Sequence, residues 1–269
     1  MEREGTGRTA LVTGASAGIG RAFAEELARR GYGLVLTARR GDRLEALAAA
    51  LGAAHGVPVT TIVEDLADPA APARLVAAVG ARGLAIDVLI NNAGYGVPGR
   101  YAGTDWERQR DFLQVLVTAP AELAHRLLPG MLARRWGRIV NVASLAGLLP
   151  GVAGHTLYAA SKALMVKFSE SLALETAGAG VHVTALCPGF TYSEFHDVTG
   201  TRDQVSRLPR FMWLDAATVA RQGCEAMARG VPVHVNGRIN GAIATLARLL
   251  PQRLVWMLVR RSAGTFRKL

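Results

Sequence analysis

The chain of 269 residues is half hydrophobic and only 19% charged, which excludes a disordered chain and leaves material for one large core. Two cysteines, Cys187 and Cys224, exclude a disulfide framework; both sit in apolar stretches and read as core thiols of a reducing compartment. The net charge of +10 fixes no partner by itself, and a nucleic-acid role lacks any groove-reading motif.

The first five residues are polar and carry no apolar core, so no secretory signal is expected. No uncharged apolar run reaches the roughly 18 residues that a spanning helix needs, so the expected location is cytoplasmic. Thr9–Thr13 then reads as a buried strand. Residues 19–30 predict a helix with Ala22, Phe23 and Leu27 on one face. Strand, helix, strand and helix follow at 33–38, 43–51, 57–63 and 71–79. A fourth strand is expected at 87–90, and a long helical stretch at 106–132 that Pro120 should kink. The fifth strand is placed at 138–142, a helix at 157–176, a strand at 181–186, a helix at 216–228 and a last strand at 231–235. Near-continuous apolar strands alternating with amphipathic helices predict a parallel sheet covered on both faces. The expected organisation is one domain over 1–236, with a substrate lid at about 190–214, and a basic helical extension over 237–269.

The first strand runs into Thr13-Gly14-Ala15-Ser16-Ala17-Gly18-Ile19-Gly20, and a helix follows at once. Glycines there let the backbone turn sharply and approach a pyrophosphate seated on the positive helix N-terminus. Gly14, Ser16, Gly18, Ile19 and Gly20 are therefore candidate dinucleotide contacts. An NAD-binding fold places Asp or Glu at the end of the second strand. Here that place is Ala38, followed by Arg39 and Arg40. No acid would repel a 2′-phosphate, and two guanidinium groups could bind it, so NADP(H) is the expected cofactor. The alternative is a pair of solvated loop arginines.

The Gly-x-x-x-Gly-x-Gly spacing resembles the short-chain dehydrogenase/reductase family, and the resemblance grows downstream. Asn91-Asn92-Ala93-Gly94 follows the fourth strand, Ser144 the fifth, Tyr158-x-x-x-Lys162 opens the next helix, and Pro188-Gly189 follows the sixth strand. These signals come in the family's order between about residues 9 and 235. The resemblance implies an α/β fold, a Rossmann-type doubly wound parallel sheet of about seven strands in the order 3-2-1-4-5-6-7. It also implies cofactor contacts from Asp65, Leu66, Asn92, Ala93, Gly94, Pro188, Gly189, Thr191 and Ser193. Asp65 could equally cap the helix after it.

The implied chemistry is hydride transfer between nicotinamide and a carbonyl or alcohol. Tyr158 would be the acid/base, and Ser144 would hold the carbonyl oxygen. Lys162, one turn further along the same helix face, should lower the Tyr158 pKa and reach the nicotinamide ribose. The family usually has an Asn on the helix before Pro120, holding a water that links the lysine to solvent; Leu116 stands there, with Gln114 two residues away. That departure favours a rival reading, a weak or non-catalytic dinucleotide binder. In the lid region Phe195, Leu208, Phe211, Met212 and Trp213 suggest an apolar pocket, with His196 as a surface residue. His125, His155, His182 and His234 have no metal-ligand spacing, so no metal is expected.

After residue 237, Ile239, Ile243, Leu246, Leu250, Leu254 and Leu258 recur at helical spacing, broken by Arg248, Pro251 and Arg253. From Arg248 onward the chain carries arginines and Lys268 and no acid. The stripe could pack on the domain, join a twin subunit or lie on a membrane surface with Trp256. A homo-oligomer, dimer or tetramer, is expected.

Overall fold

The computed structural model describes residues 3–97, 99–151, 153–154, 156–192, 213–251 and 253–257. Seven parallel strands form the main sheet in the order β3-β2-β1-β4-β5-β6-β9. They are β1 (Thr9–Thr13), β2 (Gly33–Ala38), β3 (Val59–Val63), β4 (Val88–Asn91), β5 (Gly137–Val142), β6 (Val181–Cys187) and β9 (Val233–Val235). The expected 3-2-1-4-5-6-7 topology is therefore present, its last strand being β9. Leu11 pairs with Val35 of β2 on one side and Leu89 of β4 on the other, so β1 is an interior strand, next to the central β4.

Alternation along β1 explains why the strands are apolar throughout. Ala10 and Val12 enter one core with Leu34, Leu36, Val88 and Ile90. Leu11 enters the other with Val35, Leu89 and Ile139. A sheet buried on both faces needs apolar residues at odd and even positions alike. Helices α1 (Gly18–Arg29), α2 (Gly41–His55) and α7 (Ala216–Arg229) close the first core. Helices α3 (Ala71–Gly80), α5 (Ala119–Ala133) and α6 (Thr156–Glu175) close the second. Ala22, Phe23 and Leu27 are all buried, as the periodicity of α1 requires. Cys187 and Cys224 are free, buried thiols.

Strand boundaries depart from expectation at prolines. β3 starts at Val59 and β9 at Val233, each just after a proline. Pro58 and Pro232 still accept, from Leu34 N at 2.8 Å and Ala185 N at 2.8 Å, but neither can donate to a ladder.

The expected kink at Pro120 is corrected in position. Residues 106–133 form α4 (Trp106–Leu113), a π turn (Gln114–Thr118) and then α5. The distortion thus precedes the proline. Pro120 has no N–H for the Leu116 carbonyl four residues back, and the register slips there, with Ala119 N bonding Gln114 O.

A small parallel pair, β7 (Phe190–Tyr192) and β8 (Trp213–Asp215), stands apart from the main sheet. Tyr192 stacks on Trp213 at 4.6 Å. Asp215 then caps α7, accepting from Thr218 N at 2.6 Å. Ser193, Phe195, His196, Leu208, Phe211 and Met212, named above for the lid region, lie outside the described residues.

Helix α8 (Arg238–Leu249) begins the C-terminal extension, and residues 253–257 are again helical. Asn240 is buried on its packed side; of the apolar stripe, Ile239 and Leu246 are exposed and Ile243 and Leu250 half-buried. Asn240 is held inside by its own bond to Asn236 O at 2.8 Å. Leu258 lies outside the described residues. Among the described residues no helix is long and apolar enough to cross a membrane.

Candidate active site

Parallel strands all end at one edge, so the loops after β1, β4, β5 and β6 meet there. The Gly-rich turn after β1 is tied to the loop after β4 by one hydroxyl. Thr13 Oγ1 accepts from Asn92 N at 2.9 Å and Ala93 N at 3.0 Å, and donates to Ile90 O at 3.3 Å. Asn92 Nδ2 returns a bond to Thr13 O at 2.9 Å. The approach is too close for side chains. A Cβ on Gly20 would stand 2.3 Å from Gly14 O, and one on Gly14, whose φ is +66°, would stand 2.9 Å from Ala93 Cα. Gly14, Gly20, Asn92 and Ala93 are thereby assembled in one place, with Gly18 and Ile19 on the same turn, and a Cβ on Gly94 would stand 3.6 Å from the Leu116 side chain. The α1 N-cap, Ala17, offers no side-chain cap, so no side chain at the cap competes for the first-turn N–H groups.

The two arginines after β2 part company. Arg40 lies over the Gly-rich turn, with Nη2 3.0 Å and Nε 3.3 Å from Ser16 Oγ. Arg39 points to Asp65, Nη1 to Oδ2 4.0 Å, and this pair is exposed and solvent-screened. Asp65 does not cap α3, which begins six residues later at Ala71. Its Oδ1 instead accepts from Ala67 N at 3.0 Å, closing a local turn. Leu66 is buried against Leu116 and Phe112.

Ser144, Tyr158 and Lys162 are brought together at the end of β5. Ser144 accepts from Ala146 N at 3.1 Å, opening the short 3-10 turn Leu145–Gly147, and its side chain is hydrogen-bonded to Tyr158. Leu145 N bonds Pro188 O at 2.9 Å, which joins the loops after β5 and β6. Lys162 Nζ stands 5.8 Å from the Tyr158 ring centre and donates to Val142 O at 2.7 Å.

Among the chain's own groups, burial rather than Lys162 governs the Tyr158 pKa, whereas the expected lowering combined Lys162 with the oxidised nicotinamide. Burial pushes the Tyr158 hydroxyl up, opposed by its bond to Ser144. Burial pushes the Lys162 amine down to about 8, opposed by Cys187. Desolvation disfavours tyrosinate and ammonium alike, and the amine is turned toward a strand-end carbonyl rather than the phenol oxygen.

Behind Lys162 is a small cavity of about 10 Å3, room for about one water, lined by Thr13, Asn91, Leu116, Pro120, Val142 and Lys162 among others. Asn91 Nδ2 donates to Pro120 O at 3.0 Å and Asn141 Oδ1 at 2.9 Å. Both partners are acceptors, which fixes the amide orientation and leaves Oδ1 buried with no partner. Asn141 continues the chain to Ser169 Oγ at 2.9 Å, and Ser169 to Met165 O at 2.7 Å. Gln114 Nε2, on the π turn, is likewise buried without a partner. Sequence reasoning missed this buried polar chain. Its one sequence signal was the lone Asn141 in the apolar β5 strand; Ser169, between Lys167 and Glu170, gives none. A second cavity of about 10 Å3 borders Tyr158, lined also by Val97, Gln109, Phe112 and Leu157 among others.

The family model described as short chain dehydrogenase matches residues 8–203, from the first strand past the Tyr158 helix and β7. The chain belongs to the short-chain dehydrogenase family. An uncharacterized oxidoreductase of Myxococcus xanthus is 42% identical over 187 residues, 70% of this chain and 73% of that protein. A 3-oxoacyl acyl-carrier-protein reductase of Aquifex aeolicus is 33% identical over 255 residues, 88% of this chain and 99% of that one. A short-chain dehydrogenase of Sphingobium yanoikuyae, solved in complex with NADPH, matches with a TM-score of 0.79 at 32% identity, covering 91% of this chain and 96% of that one. This short-chain dehydrogenase is thus an oxidoreductase with a nucleotide-binding fold.

Two further points concern the expected site residues of this short-chain dehydrogenase. Thr191 is buried, its hydroxyl donating to Gly189 O at 3.2 Å, and Gly189 itself backs onto Asn240 of α8. Ser193 lies outside the described residues. Among the described residues no cluster of His, Cys, Asp and Glu could hold a metal ion.

Proposed function

We propose that this short-chain dehydrogenase moves a hydride between NADP(H) and an apolar carbonyl or alcohol, with Tyr158 as acid and base. The observation that carries this reading is the Ser144–Tyr158 hydrogen bond beside the buried Lys162 amine. Held by its pyrophosphate at the Gly-rich turn, the dinucleotide would supply or accept the hydride at its nicotinamide. Everything else falls to the chain's own groups. Ser144 would orient the substrate oxygen, and Tyr158 would give its proton to that oxygen or remove it. Burial favours the neutral phenol, the form that a reduction needs. Lys162 would bring positive charge toward tyrosinate as it forms, and its lowered pKa lets it pass a proton near neutral pH.

The donors around the Gly-rich turn suit a dinucleotide. The α1 N-terminus has no side-chain cap, and a Cβ would not fit at Gly14 or Gly20. Asn92, Ala93, Gly94, Asp65, Leu66, Pro188, Gly189 and Thr191 complete the proposed contacts, with Ser193 from the sequence alone. Arg40 on Ser16, with Arg39 beside it, would take the 2′-phosphate.

NADPH is expected to bind at least about tenfold more tightly than NADH, a difference of only ~1.4 kcal/mol. A charge-assisted hydrogen bond contributes roughly 1.5–3 kcal/mol, so one arginine suffices even after some solvent screening. Because the structure seats Arg40 on Ser16, Arg40→Ala should weaken NADPH by about fivefold or more and change NADH little. Titration of both cofactors at one ionic strength measures this. Equal affinities in the parent protein would remove the NADP(H) assignment.

The second reading, a non-catalytic dinucleotide binder, rests on Leu116. Its side chain is buried with Val97, Phe112 and Val115 at the edge of the water-sized cavity. Leu116→Asn should lower stability by roughly 2 kcal/mol, since it places an amide in an apolar cluster. It should leave kcat equal or higher. Thermal unfolding and steady-state rates with a ketone panel check both parts. No turnover of any ketone or alcohol by the parent, despite tight cofactor binding, would favour the second reading.

A further inference from the structure

Helix α8 leaves apolar side chains in solvent. Ile239, Leu246 and Leu249 are 43%, 56% and 76% exposed. Their spacing of seven and then three residues puts them on one side of the helix. Past Pro251, Leu254, Trp256 and Met257 are also exposed. The opposite side of α8 is occupied, with Asn240 packed against the Gly189 backbone. The exposed stripe is therefore not the helix's route into the core.

The charge around this stripe is of one sign. Arg238, Arg248 and Arg253 are exposed, and none pairs with a carboxylate among the described residues. Elsewhere the arginines are commonly neutralised, as in Arg21–Glu25, Arg74–Glu64, Arg126–Glu122 and Arg221–Glu225. Residues 237–269 hold seven of the chain's 31 basic residues and none of its 21 acidic ones. That segment alone accounts for seven of the ten net positive charges.

We propose that α8 and residues 253–257 dock this protein on an anionic phospholipid bilayer. Only such a surface meets both halves of the pattern. The headgroups take the arginines, the acyl boundary takes Leu246, Leu249 and Trp256, and an indole suits the interface between them. A second copy of the chain fits worse. A two-fold interface sets the same patch against itself, and here it would bring arginines together with no acid in the segment to offset them. A phosphate polymer would take the arginines and leave the apolar stripe wet. Asn240 on Gly189 and Gly237 on Leu214 root the docking helix on the loop after β6 and on β8. The bilayer would thus lie beside the candidate site.

The test is co-sedimentation of the full chain with vesicles, a readout independent of any catalysis. One set is phosphatidylcholine alone and the other is equimolar phosphatidylcholine and phosphatidylglycerol. Binding to the anionic vesicles should be at least about tenfold tighter and should fall as sodium chloride is raised. Arg248→Glu with Arg253→Glu should abolish it, and so should Leu249→Ser with Trp256→Ser. All four positions are exposed, so circular dichroism should show both variants folded. Equal binding to the two vesicle types, or none, overturns the proposal. So does concentration-dependent self-association that the Leu249/Trp256 variant removes without any vesicle binding.

Discussion

Tyr158→Phe is expected to lower kcat/KM for carbonyl reduction by about a thousandfold, within the range that a positioned proton donor supplies. The change removes one oxygen and keeps the ring. Cofactor affinity should stay within about twofold, because the Gly-rich turn, Asn92 and Arg40 do not depend on the phenol. Stability should change little. Ser144 loses its Tyr158 partner but keeps its bond from Ala146 N, and so does not become a stranded buried group. Single-turnover rates with NADPH, together with cofactor titration by fluorescence, separate chemistry from binding. Activity within tenfold of the parent would mean that another group donates the proton, and the Tyr158 assignment would fall.

The second large effect is expected at a residue that carries no chemistry. Gly147 ends the 3-10 turn that Ser144 opens, and it lies flat against the α6 backbone. A Cβ there would meet Lys162 C at 2.6 Å, Lys162 O at 2.7 Å and Ala163 N at 2.9 Å. All three are backbone atoms, so no side-chain rotation relieves the clash. Either the turn or the helix must move, and each carries part of the site. Overpacking of this kind costs roughly 1–3 kcal/mol. For a chain of this size each kcal/mol is worth about 2 °C, so Gly147→Ala should lower Tm by roughly 2–6 °C. A shift of even an ångström between Ser144 and Tyr158 should also cut kcat/KM by at least about tenfold. Gly151→Ala is the control, since nothing lies within 4 Å of a Cβ built there. If both variants match the parent in Tm and rate, the Gly147 contact does not set the site's geometry.

The sheet was legible because both of its faces are buried. That burial forces continuous apolar runs such as Leu34 to Leu36 and Val88 to Ile90, and those runs are visible without coordinates. The Gly-rich turn and the Ser144, Tyr158 and Lys162 positions were legible because each follows a strand or opens a helix at a fixed place. What stayed hidden depends on tertiary contact. The π turn follows from a donor missing at Pro120 and felt at Leu116. Arg39 and Arg40 are chemically alike, and only the backbone at the start of α2 sends Arg40 to Ser16 and Arg39 to Asp65. Lys162 turns to Val142 O, twenty residues back, which no spacing along its own helix announces. β7 and β8 are three residues each, too short for any periodicity to show.

That short pair bears on how such a protein can diversify. Thr191 pairs with Leu214, and Tyr192 stacks on Trp213, so the residues on either side of the stretch 193–212 are clamped to one another. The cost of bringing its two ends together rises slowly with length, by about 0.6 kcal/mol for each doubling. A change of length between the clamp residues therefore adds little to the cost of closing the clamp. Ser144, Tyr158 and Lys162 hang on β5 and α6, outside that clamp. Selection can therefore vary the length of chain between the clamp residues while the strand and helix that carry the proposed acid and base are inherited unchanged, and a laboratory graft cut at Tyr192 and Trp213 would exploit the same seam.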